Sequence, residues 1–192
     1  DEEVQRILKA CPSEEWRTLV FLGYYTGARM GDCLGLTWGA FDLGDTPKLT
    51  YKQKKTGKGS KGWVTIAVHP ALQKRLLEWR QASKAGKDGP VLPGLTATAL
   101  GGNTGPSTLF VQLVKAAGID PCYATTGRSK QPRKCFHSFR TTLVTRMQSL
   151  EIPQEVRMNI VGHASADVHK GYSQGEWNNV RAAIDKLPEL AG

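Results

Sequence analysis

The opening stretch "DEEVQRILKA" sets Val4, Ile7 and Leu8 at helical spacing among charged residues, which predicts a short amphipathic helix over 2–10. Ser13 predicts the start of a second helix, with Glu14 and Glu15 in its first turn, where carboxylates complement the helix dipole. That helix carries Trp16, Leu19, Val20 and Leu22 inward, and Gly27 breaks it before a short helix within "RMGDCLGLTW". The period then changes to two. Residues 48–54 and 63–68 alternate apolar and polar positions as strands do, and "KTGKGSKG" between them reads as an extended hairpin tip. Pro70 opens a helix through "ALQKRLLEWRQ", and the Gly- and Pro-rich stretch 86–107 reads as a loop. A helix near 107–117 and a basic loop over 120–134 follow. Helices are then expected at 137–149, at 153–161 with Pro153 first, near 165–172, and at 176–187, stopped by Pro188. The pattern is α+β and mostly α-helical: a single domain with one small antiparallel β-sheet or hairpin.

Length and composition agree with that picture. A chain of 192 residues that is 40% hydrophobic can bury a sizeable core as one domain. No apolar run approaches the ~18 residues of a membrane span, and no signal-like segment opens the chain. The chain starts "DEEV" without a methionine, as a segment of a longer protein would. Cys11, Cys33, Cys122 and Cys135 are scattered with no C-x-x-C pair, which argues against a zinc site or disulfide framework and for a reducing, cytoplasmic setting.

Charge narrows the partner. The formal net charge is +9. Residues 47–61 contain Lys48, Lys52, Lys54, Lys55, Lys58 and Lys61 with no acid; residues 121–150 contain Arg128, Lys130, Arg133, Lys134, Arg140 and Arg146, again with none. Either stretch alone is an ordinary solvated face. Two in one chain point to a polyanion, of which nucleic acid is the commonest. A membrane surface fits less well, because neither stretch is a basic amphipathic helix with exposed aromatics.

Chemistry enters with "KCFHSFRTT", where His137 and Arg140 are three residues apart, a separation that sets Cβ atoms about 5–6 Å apart on a helix. Phe136 and Phe139 are expected to pack inward. Arg29 in "TGARMGD", His163 in "VGHAS" and Tyr172 in "HKGYSQ" each have a bland reading taken singly: a surface arginine, a capping histidine, a core tyrosine. Together they resemble the boxes of the tyrosine recombinases, the phage-integrase family. "TGARMGDCLGLTW" is similar to the family's first arginine box, "HSFR" to its H-x-x-R box, and "VGHAS" with the following "GY" to its closing box. The intervals also agree, 23 residues from Arg140 to His163 and nine from His163 to Tyr172, and the likeness runs over essentially the whole chain.

The resemblance implies an integrase-type catalytic domain over 1–192, without the N-terminal core-binding domain that completes the family's DNA clamp. It implies Tyr172 as nucleophile, Arg29, Arg140 and His163 as stabilisers of the phosphate, and His137 as general base or positioning group. A hairpin lysine is implied as general acid. Lys55 in "KTG" is taken first, and Lys58 in "GKG" is the alternative. Asp32 matches the family's acidic position and reads as support for the arginine helix. Thr141 stands where many relatives carry a second histidine. No cofactor and no metal are implied. The implied partner is double-stranded DNA, in the cytoplasm of a bacterium or as a phage product. Assembly as a tetramer on paired sites is implied, with the helix 176–187 docking on a neighbour or packing on its own domain.

Other chemistries fit worse. A β-lactamase-like use of "KTG" needs an S-x-x-K serine that is absent, and "TGKGS" fails as a phosphate loop because glycine follows Lys58. His69, His137, His163 and His169 have no metalloprotease-type spacing, and their basic neighbours would repel a cation. A type IB topoisomerase and a catalytically silent DNA-binding module of the same fold are the closer alternatives.

Overall fold

The computed structural model describes residues 1–54, 62–101, 105–126, 129–161 and 173–190. At its centre runs α2 (Glu14–Thr26), buried from Thr18 to Thr26 on every side. A helix apolar all round belongs inside a core, and its neighbours supply that core. The other helices are α1 (Glu2–Ala10), α3 (Met30–Cys33), α4 (Pro70–Ser83), α5 (Pro93–Gly101) and α6 (Pro106–Ala116), followed by α7 (Ser138–Ser149), α8 (Gln154–Ile160) and α9 (Gln174–Asp185). Of these, α3, α4, α5 and α7 pack directly on α2. A three-stranded antiparallel sheet, β1 (Phe41–Asp42), β2 (Lys48–Lys52) and β3 (Trp63–Ala67), lies in the order β1-β2-β3. Alternation turns Leu49, Tyr51, Val64 and Ile66 inward.

The α2–α7 contact depends on absent side chains. A Cβ on Gly23 would lie 2.7 Å from both Phe136 Cζ and Phe139 Cδ2. Those rings join Phe110 in an edge-to-face trio with centroids 5.3–5.7 Å apart. One turn on, Gly27 ends α2 with φ of 58°, a left-handed value that glycine adopts without the steric cost a Cβ brings. The inward packing of Phe136 and Phe139 is as the sequence predicts.

Three expectations need correcting. The stretch 86–107 is not all loop, because α5 forms within it. Its N-terminal donors are capped from a distance, Gly94 and Leu95 N–H each donating to the Glu15 carboxylate at 2.9 Å, and Leu92 and Leu95 are buried. The basic stretch 120–134 is not a plain loop but a second sheet, β4 (Tyr123–Thr126) against β5 (Ser129–Pro132). The last helix begins two residues early, because Ser173 and Glu176 form a reciprocal capping box. The helix expected near 165–172 and the hairpin tip 55–61 lie outside the described residues.

Helix α9 buries Val180, Ala183 and Ile184 against α8 and β3. The chain after it is fastened by two aromatic side chains. The Tyr25 hydroxyl donates to Pro188 O at 3.2 Å and accepts from Leu190 N–H at 2.8 Å. His69 stacks on Tyr25 with centroids 4.3 Å apart; its Nδ1 accepts the Ala71 N–H, which leaves Nε2 to donate to Leu187 O at 3.1 Å. Burial holds the His69 imidazole below its usual range, in the neutral form that this capping requires.

Candidate active site

The site is built at the turn between α2 and α3. After Gly27 the chain straightens, and Arg29 stands at the N-cap of α3 with its side chain a quarter exposed. One turn into α3, Asp32 is only 4% exposed. Its Oδ1 accepts the backbone N–H of Lys54 at 2.8 Å, and its Oδ2 lies 3.9 Å from Arg29 Nη1. One buried carboxylate therefore faces an arginine and also holds the end of the strand that leads into the lysine-rich hairpin. The Lys54 side chain folds over Gly35, where a Cβ would meet its Cε and Nζ at 2.8 Å. An open groove of about 380 Å³ runs alongside, lined by Asp32, Gly35, Thr37, Tyr51, Lys54 and Trp63.

Arg140 reaches the same place from α7. It is 5% exposed, donating from Nη1 to Gly27 O at 3.1 Å and from Nη2 to Val161 O. Two of its five N–H groups thus tie the α2–α3 turn to the end of α8. Burial lowers its pKa first, and the neighbouring Arg29 charge lowers it further, while Tyr51 and Asp32 act in the opposite sense. Two guanidiniums close enough to repel, one of them buried, form a place where an anion is favoured. Tyr51, one of the two partners opposing that shift, is itself buried, and its phenol is pushed up strongly by that burial. It keeps its proton and does not compete as a nucleophile.

His137 and Arg140 are close in sequence but differ in setting. His137 sits at the N-cap of α7 and is exposed, whereas Arg140 points into the fold. His163, Tyr172, Lys55 and Lys58 lie outside the described residues. Two described residues that come just before these groups in the chain, Lys54 and Val161, are nevertheless held by Asp32 and Arg140. Lys55 follows Lys54, whose N–H Asp32 holds, and His163 comes two residues after Val161, whose carbonyl Arg140 holds. Among the described residues, no group of three His, Cys, Asp or Glu side chains is arranged to hold a metal ion, and no helix is long and apolar enough to cross a membrane.

Several contributors escape a reading of the sequence alone. Tyr51 in β2 and the buried Gln53, one residue past its end, continue the inward phase of Leu49, a signal present in the alternation but attributable equally to core packing. Gly23 and Gly27, four residues apart, clear the path for α7; their spacing is visible, and its use is not.

The mostly helical core with its small antiparallel sheets is the fold of solved integrase and recombinase structures. An integrase from mycobacterium phage Brujita superposes with a TM-score of 0.63 at 16% identity over 97% of this chain and 56% of the other. XerA recombinase gives 0.61 at 18% over 99% and 65%, and the lambda integrase catalytic core 0.53 at 22% over 86% and 91%. The chain thus spans little more than half of the phage Brujita integrase and under two thirds of XerA. No curated protein matches it in sequence. The phage integrase family model matches residues 1–176, and the chain belongs to that family.

Proposed function

We propose that residues 1–192 are the catalytic domain of a site-specific DNA recombinase that breaks and rejoins strands through a 3′-phosphotyrosyl intermediate. The observation that carries this reading is the convergence of Arg29 and Arg140 beside the buried Asp32, at the roots of the segments that bear Lys55, His163 and Tyr172. A phosphodiester under attack gathers negative charge on its non-bridging oxygens, and fixed cationic donors stabilise it without reorganising. Arg29 and Arg140 fill that role, with His163 donating a third hydrogen bond.

Tyr172 attacks the phosphorus and displaces the 5′-oxygen. A phenol with pKa ≈ 10 is about one part in a thousand ionised at pH 7, so the nearby cations and a proton acceptor must help. His137, exposed at the head of α7, takes the proton, a service typically worth about 10²–10⁴ in rate. Lys55, or Lys58 in its place, protonates the leaving 5′-oxygen. The free 5′-hydroxyl then attacks the phosphotyrosine of a partner strand. Each step exchanges one phosphoester for another of similar energy, so no nucleotide hydrolysis is needed to drive it.

One relative of this fold has been solved as a lambda integrase tetramer bound to a Holliday junction, over 90% of this chain at 19% identity. By analogy this domain acts on double-stranded DNA and assembles as a tetramer on paired sites. Because α9 buries its apolar residues on its own domain, a neighbour docking there would meet its polar side.

A nicked suicide duplex, from which the released strand diffuses away, tests the reading. Wild-type protein should leave a covalent adduct on a denaturing gel and Tyr172→Phe none. An adduct that persists in the variant overturns the nucleophile, and a wild type that forms none leaves a silent DNA-binding module. A 5′-bridging phosphorothiolate, whose sulfur needs no proton to leave, should rescue Lys55→Ala; rescue of Lys58→Ala instead assigns the acid to Lys58.

A further inference from the structure

The β4–β5 ribbon is the feature that the proposed chemistry leaves unused. It forms a sheet of its own, separate from the β1-β2-β3 sheet. A lone two-stranded hairpin is marginal in water and is tied down here at its base. Cys122 N–H donates to Asp120 Oδ1 at 3.0 Å, Ser138 Oγ donates to Arg133 O at 2.7 Å, and Lys134 is paired with Glu3 at 2.7 Å. Backbone bonds from Arg133 to Cys122 and from Lys134 to Pro121 lengthen the ladder toward α7, the helix that carries Arg140.

One face of the ribbon is both basic and aromatic. Tyr123 pairs with Pro132, so the period of two puts Tyr123 and Lys130 on the same face. Tyr123 is 49% exposed, with Lys115 Nζ from the last turn of α6 5.6 Å from its ring centroid. Lys115 and Lys130 are exposed, and Arg133, which follows Pro132 and is therefore out of phase with that face, is exposed at the base of the ribbon. The nearby acids are already engaged, Asp120 by Cys122 N–H and Glu3 by Lys134. A ribbon of two strands is also of a size that the major groove of B-DNA admits, at about 12 Å wide.

We propose that the β4–β5 ribbon is a second DNA-binding surface, lying in the major groove beside the cleaved bond, with Lys115, Lys130 and Arg133 on the phosphates and Tyr123 packed against the groove wall. This rests on the recombinase reading for its partner, and assigns to the ribbon affinity rather than chemistry. Removing each phosphate-binding side chain should lower the slope of log K against log salt by about 0.9.

The test is binding of a short fluorescein-labelled duplex across a salt series, followed by anisotropy. The triple variant Lys115→Ala/Lys130→Ala/Arg133→Ala should bind at least about tenfold more weakly at physiological salt, with a slope shallower by about 2–3. Tyr123→Ala should weaken binding without changing the slope, while Tyr123→Phe, which keeps the ring, should bind as wild type. Methylating guanine N7 should weaken the wild type and leave the triple variant unaffected. A triple variant with the wild-type slope overturns the proposal, as does an equal loss in the control Lys74→Ala/Lys87→Ala/Lys186→Ala. Normal duplex binding by a triple variant that has lost self-association would assign the ribbon to an acidic protein face instead. At saturating protein the triple variant should still form the suicide-duplex adduct. Failure of the wild type to form it would count against the recombinase reading and leave the salt slopes to judge the ribbon.

Discussion

The arginine pair and the β4–β5 ribbon are both basic, yet they hold their charge in opposite ways. Arg140 is buried, bonded to two backbone carbonyls and crowded by Arg29. Lys115, Lys130 and Arg133 stand in water on a ribbon of two strands. Repelling cations stay together only where a scaffold determines their positions. Asp32 and the Gly27 and Val161 carbonyls do that for the arginines, so their field is fixed by the fold itself. The ribbon's charges are open to screening by salt. The first arrangement suits stabilisation of a transition state, and the second suits attraction of a polyanion.

Removing the buried cation should break this contrast most severely. Arg140→Ala abandons two hydrogen bonds from a charged donor and should cost about 3 kcal/mol of stability, read by denaturant unfolding. Arg140→Lys keeps the charge but replaces the planar fork with a single ammonium, and should lower suicide-duplex cleavage by about 10²-fold or more. Equal cleavage by Arg140→Lys and wild type would remove the case for geometry over charge.

Gly23→Ala comes next. With Phe136 and Phe139 at 2.7 Å from the new Cβ, the rings that back Arg140 must shift, at about 1–3 kcal/mol, seen as a lower Tm. The same change at the exposed Gly31, where a Cβ meets nothing within 4 Å, should not destabilise.

A smaller effect separates both regions from the C-terminal fastening. Because His69 is held neutral with its pKa lowered, the folded state binds fewer protons than the unfolded state. Its stabilising share is full above the unfolded value near 6.5 and declines as pH falls through the folded one, with a slope of at most about 1.4 kcal/mol per pH unit. His69→Gln should flatten that decline in a pH series of melts, and an unchanged profile would exonerate the ring. Smallest of all is Lys130→Ala, which should leave stability within about 0.5 kcal/mol of wild type while lowering the salt slope of DNA binding.

Much of the frame is legible in the chain itself. Helical spacing locates α1, α2, α4, α6 and α7, Ser13 and Gly27 bound α2, and alternation locates β2 and β3. The α5 helix is hidden because its cap, Glu15, is nearly 80 residues away in sequence and only the tertiary fold makes it local. The ribbon is hidden because "YATTGRSKQP" is polar and carries Pro132, which weakens a strand reading. In a two-stranded ribbon a proline missing its N–H is tolerated at an outward-facing position.

The order of the boxes and the residue types at Arg29, His137, Arg140, His163 and Tyr172 are properties of the sequence, and they are enough to assign the family. Spacing puts His137 and Arg140 within one turn of each other. Folding decides that one faces water and the other is enclosed by Gly27 and Val161. It also decides that Asp32 meets both Arg29 and the backbone of Lys54. Local patterns follow from neighbours along the chain, whereas burial and charge crowding depend on which distant segments pack against them.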